Sequence, residues 1–63
     1  MDYRILAITS NAQMLYEMAI ARKDRNRLDR AKRKCEKGLQ IDPSNPELKS
    51  LYNRIQEVES TLT

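Results

Sequence analysis

The clearest periodicity in the chain lies between residues 28 and 39. Leu28, Ala31, Cys35, Gly38 and Leu39 recur at spacings of three and four, which places them on one face of a helix. Asp29, Arg30, Arg33, Lys34 and Lys37 fall off that face. The pattern predicts a helix B over about 27–41, stopped by Asp42-Pro43-Ser44-Asn45-Pro46, because a proline restricts the residue before it and breaks an interior ladder. A third helix, C, is predicted over about 45–60. Ser44 or Asn45 serves as its cap, Pro46 stands near its first position and Glu47 lies in its first turn. Leu48, Leu51, Tyr52, Ile55, Val58 and Leu62 form its apolar face; Lys49, Asn53, Arg54, Gln56, Glu57 and Glu59 form its wet one.

The front of the chain is less regular. Ser10-Asn11-Ala12-Gln13 fits a capping box, so a helix A is expected over about 11–23. Ala12, Met14, Leu15, Tyr16, Met18, Ala19, Ile20 and Ala21 cover far more than one stripe of it, and such a helix needs neighbours on several sides. Asn26 either takes a left-handed turn conformation or caps helix B. Residues 1–9, with Tyr3, Ile5, Leu6 and Ile8, read as a preceding helix or an extension of helix A. The packing seam is expected to hold Leu15, Met18, Ala19, Leu28, Ala31, Cys35, Leu39, Leu48, Leu51, Tyr52 and Ile55.

Size and composition narrow the options. Sixty-three residues make one domain over 1–63, and a chain this short buries only ~60% of its unfolded surface. One cysteine precludes an intrachain disulfide, and the chain has no histidine. Cys35 on the packing stripe reads as a buried thiol, since nothing resembles a nucleophile with its base. The carboxylates are scattered and no Gly-rich phosphate loop is present, so no catalytic residue, cofactor, metal or small-molecule substrate is expected. No apolar run approaches the ~20 residues of a membrane span. The first residues lack a signal-peptide pattern, and an intracellular, cytoplasmic setting is expected.

The net charge of +3 is unevenly placed. Nine basic residues crowd between Arg22 and Lys37. Lys23, Arg27, Arg30, Lys34 and Lys37 approximate one stripe, suited to phosphates or an acidic surface. A solvated helix face and turn is the favoured account of them, and no base-reading motif accompanies them.

A shift of 34 residues superposes Ser10-Asn11 on Ser44-Asn45, Gln13 on Glu47, Met14 on Leu48, Met18 on Tyr52 and Ile5 on Leu39. With Ala31-x3-Cys35, Gly38-Leu39 and Pro43 in the following turn, residues 12–45 resemble one tetratricopeptide repeat. Arg22 and Cys35 stand where that family has aromatics. The resemblance implies an all-α fold, an antiparallel helical hairpin with a third, capping helix, and a non-catalytic protein–protein interaction or assembly role. Chaperone-binding members clamp a carboxylate with basic and amide groups on the A helix; the matching positions here are Gln13, Tyr16, Glu17 and Ile20, which does not support that activity. One repeat plus a cap falls short of the roughly three units such stacks need. The apolar front end is therefore expected to be covered by a second copy of the chain, an upstream repeat or another protein's helix or peptide. Tyr16, Ile20, Ile5 and Ile8 are the expected contacts. The rival expectation is nucleic-acid binding through the Arg22–Lys37 cluster, with Arg27, Arg30, Lys34 and Lys37 as its basic patch.

Overall fold

A computed structural model describes residues 3–61 as three helices, α1 (Tyr3–Arg22), α2 (Arg25–Ile41) and α3 (Pro46–Thr61). The fold is all-α: an antiparallel hairpin of α1 and α2 with α3 as a third helix. Leu62, expected on the apolar face of the third helix, lies outside the described residues.

The first helix departs from expectation. It does not start at a Ser10 cap but runs unbroken through Thr9-Ser10-Asn11 for 20 residues. The capping box is not formed. Capping would require Ser10 to leave helical geometry, which would swing Ile5 and Ile8 off the face that carries Ala12, Leu15, Tyr16 and Ala19. Continuing the helix keeps all six in register, and their packing outweighs the local preference of a serine. Thr9 adapts by donating its Oγ1 hydrogen to the Ile5 carbonyl at 2.7 Å. Residues 1–9 thus contribute an extension of the first helix, from Tyr3 onward, not a separate one.

The α1–α2 turn is built from Lys23 and Asp24. Lys23 adopts φ 52, the left-handed conformation that ends many helices. Its amide donates to the Ile20 carbonyl at 3.4 Å, while the Asp24 amide donates to Ala19 at 3.0 Å. Asp24 then caps α2, its Oδ1 accepting from the Asn26 amide at 3.0 Å and the Arg27 amide at 3.2 Å. Asn26, the residue expected to turn or to cap, sits exposed in the first turn of α2. The aspartate takes the cap because its carboxylate also meets Arg27 Nη1, through Oδ2 at 3.2 Å.

The second turn follows expectation closely. Asn45 is the cap of α3, its Oδ1 accepting from the Leu48 amide at 3.0 Å, and Pro46 occupies the first helical position. Ser44 donates its hydroxyl to Asp42 Oδ1 at 3.3 Å instead.

The core comprises Ala12, Ala19, Leu28, Ala31, Cys35, Leu48, Leu51 and Ile55, all buried, with Ile8, Leu15, Tyr16, Leu39, Tyr52 and Val58 packed around it. Met18, expected in the seam, is half-buried and lies outside this cluster. Short side chains on α1 and α2 let the hairpin close tightly. The three helices meet at Gly38, where a Cβ would stand 2.6 Å from Leu48 Cδ1 and 3.1 Å from Ile8 Cγ2. The helix propensity lost at this glycine, ~1 kcal/mol relative to alanine, secures that approach. α2 lies between α1 and α3, which touch each other little.

Candidate interaction surface

Burial of one side of α1 leaves the other uncovered. Tyr3, Leu6 and Met14 are 80%, 52% and 54% exposed, and Ser10 and Glu17 on the same side also face solvent. At 100° per residue these five lie opposite Ile8, Ala12, Leu15 and Ala19, so the row is the reverse of the packing face. Ile20 and Ile41 are further apolar side chains left partly open.

Toward α3, the first half of α1 borders an open groove of about 570 Å³. Leu6, Ser10 and Gln13 form one wall, and Pro46, Ser50 and Arg54 the other, over a floor that includes Leu51. Glu17 Oε1 accepts from Gln13 Nε2 at 3.1 Å, which ties two polar groups of α1 together one turn apart.

The residues expected to meet a partner are divided by the structure. Ile8 and Tyr16 pack against the core and Ile5 is half-buried, whereas Ile20 is exposed. Tyr3, Leu6 and Met14, the most exposed of the large hydrophobic side chains described, were not among the expected contacts. The expected break at Ser10 hid them, because a single phase angle carried from Tyr3 to Arg22 separates the two faces.

The basic stripe is also divided. Arg30, Arg33, Lys34 and Lys37 gather beside Leu15 around a shallow groove of about 390 Å³ between α1 and α2. Arg27 is apart from them, bound to Asp24, and Lys23 belongs to the turn. Arg33 Nε pairs with Asp29 Oδ2 at 3.2 Å on the same helix. Lys32 points the other way and joins α2 to α3, its Nζ donating to Glu59 Oε1 at 3.2 Å and Oε2 at 3.4 Å. The hydrogen bond and the charge of Glu59 hold the Lys32 ammonium above its usual value. Sequence spacing could not single out this pair, because it joins residues of two separate helices.

Cys35 is fully buried, and burial first, then the charge of Glu36, pushes its thiol up to about 11. A thiol held in that protonated form is a poor nucleophile. Among the described residues, no group of three His, Cys, Asp or Glu side chains stands close enough to hold a metal ion. Among the described residues, no helix is long and apolar enough to cross a membrane.

Comparison with family models, curated proteins and solved structures finds no match to this chain. The reading of its function therefore rests on the residues themselves.

Proposed function

We propose that the chain is a non-catalytic interaction and assembly module that associates with protein through the outer side of α1. The observation that carries this is the row of Tyr3, Leu6 and Met14, each more than half exposed on a helix whose opposite face packs on the core. Apolar surface gathered on one side of a small domain is surface that a partner removes from water. The close seam at Ala19, Ala31 and Gly38 and the turn at Pro43 are the features that fit a tetratricopeptide-like hairpin. The unbroken α1 departs from that pattern: Asn45 caps a helix, while Asn11, its counterpart 34 residues earlier, lies mid-helix, and Leu48 is buried where Met14 is exposed.

Sedimentation of the chain combined with binding of an apolar dye tests the proposal. The expected result is an oligomer, or a monomer whose dye binding is removed by Leu6→Glu. A helical monomer that binds no dye overturns the reading.

A second reading, binding of nucleic-acid phosphates, is favoured by the gathering of Arg30, Arg33, Lys34 and Lys37. It requires an affinity that falls steeply between low and physiological salt. A flat response to salt removes it.

A further inference from the structure

The outer row of α1 has a symmetry of its own. Tyr3, Leu6, Ser10, Met14 and Glu17 are separated by three, four, four and three residues, so the spacing reads the same in both directions from Ser10. Its chemistry is complementary about that centre. Leu6 and Met14, both apolar, stand four residues to either side, and a phenol at Tyr3 balances a carboxylate at Glu17 seven residues to either side.

We infer that the occupant of this row is a second copy of the chain, with the two α1 helices antiparallel about a two-fold axis at Ser10. In that arrangement Leu6 of each copy meets Met14 of the other. Each Tyr3 hydroxyl donates to the opposing Glu17 carboxylate, whose Oε1 already accepts from Gln13 at 3.1 Å and whose Oε2 remains as a second acceptor. The small Ser10 side chains at the crossing let the axes approach. A two-fold interface must be self-complementary, which is the property that a palindromic row supplies and that a contact with an unrelated protein does not need. Charge agrees. The chain carries +3, yet the row contains no cation, because Arg30, Arg33, Lys34 and Lys37 are gathered on α2. Two copies can therefore bring their α1 helices together without opposing their basic clusters. The row spans about 21 Å at ~1.5 Å per residue, long enough for five layers of facing side chains. This inference rests on the interaction reading above and names its partner.

The test joins cross-linking to charge exchange. Ser10→Cys places one thiol of each copy at the axis, while the native Cys35 is buried and takes no part. Mild oxidation is expected to convert Ser10→Cys into a covalent dimer with native helicity. The same oxidation of an Asn53→Cys control, exposed on α3, is expected to give no covalent dimer. Leu6→Glu sets a carboxylate against Met14 of the other copy and should lower the association constant by about tenfold or more in sedimentation equilibrium. Adding Met14→Lys should restore association. The new pair forms only between copies, because the two positions lie ~12 Å apart along one helix.

A monomer at millimolar concentration that still binds apolar dye overturns the second-copy assignment and leaves the interaction reading standing. A dimer in which Ser10→Cys fails to cross-link, or in which Met14→Lys gives no recovery, overturns the antiparallel arrangement. Each outcome differs from the dye-negative monomer that would remove the interaction reading itself.

Discussion

Gly38 and Leu48 are set so closely that no room for a methyl group is left between α2 and α3 at this point. A Cβ at Gly38 would lie 2.6 Å from Leu48 Cδ1, and the leucine is fully buried. It cannot turn into solvent to make room. Ile8 of α1 closes the other side at 3.1 Å. A glycine in the interior of α2 therefore lets the third helix dock this closely.

Gly38→Ala sets two effects against each other. Alanine gains ~1 kcal/mol of helix propensity, while an overpacked core loses ~1–3 kcal/mol. Because both neighbours are packed, the loss prevails and stability is expected to fall by about 1 kcal/mol in urea unfolding. Leu48→Val removes the crowding terminus, so the double variant should lose less than the two single losses added together. Strict additivity would mean that the contact at Gly38 does not control docking.

Lys23 is the other backbone position where a side chain is at odds with its conformation. At φ 52 it accepts a left-handed geometry that glycine adopts freely. Lys23→Gly is expected to raise stability by ~0.5–1 kcal/mol, since relief of strain exceeds the added freedom of the unfolded chain. A fall in melting temperature would count against the helix stop described here.

The caps separate by their geometry. Asp24→Ala and Asn45→Ala each remove an acceptor from a helix start and should each cost ~1 kcal/mol. Ser10→Ala should cost nothing and gain up to ~0.5 kcal/mol, because Ser10 is an exposed residue inside a helix. If Ser10→Ala destabilises as the other two do, the first helix begins at Ser10 after all. These comparisons belong at one protein concentration, since association adds to apparent stability.

The pairing of Lys32 with Glu59 predicts a pH dependence. The lysine is raised above its ordinary value of 10.5, so the folded state holds its proton more tightly than the unfolded state. The stabilisation is fully present below pH 10.5 and fades as pH rises through the folded value. Glu59→Gln should remove that alkaline component, so that the difference between parent and variant shrinks above pH 10.5. A difference unchanged up to pH 12 would assign the effect of Glu59→Gln to something other than this ion pair.

Much of the fold was legible where a local cause and a periodic face agreed. Helices B and C, the proline turn, a cap at Ser44 or Asn45 and the need for a short residue at Gly38 could all be read from Leu28 onward. There the apolar stripe is narrow and the breakers are strong. The first helix misled because two signals disagreed: Ser10 and Gln13 are good capping residues, while Ile5, Ile8, Ala12, Leu15, Tyr16 and Ala19 keep one face in phase across them. Only packing against α2 and α3 decides between these, since a cap contributes about 1 kcal/mol and a row of buried aliphatic side chains several.

The surface divides along the same line. The sequence by itself determined an all-α chain, an excess of apolar residues near its start and a basic cluster in its middle. Which apolar residues stay exposed, which cations gather and which lysine bridges two helices were decided by tertiary structure. A sequence states the period of each helix, but the angle at which that helix meets its neighbours is set by contacts between residues far apart in the chain. Tyr3, Leu6 and Met14 face solvent because Ile8, filling the space beside Gly38, fixes the rotation of α1.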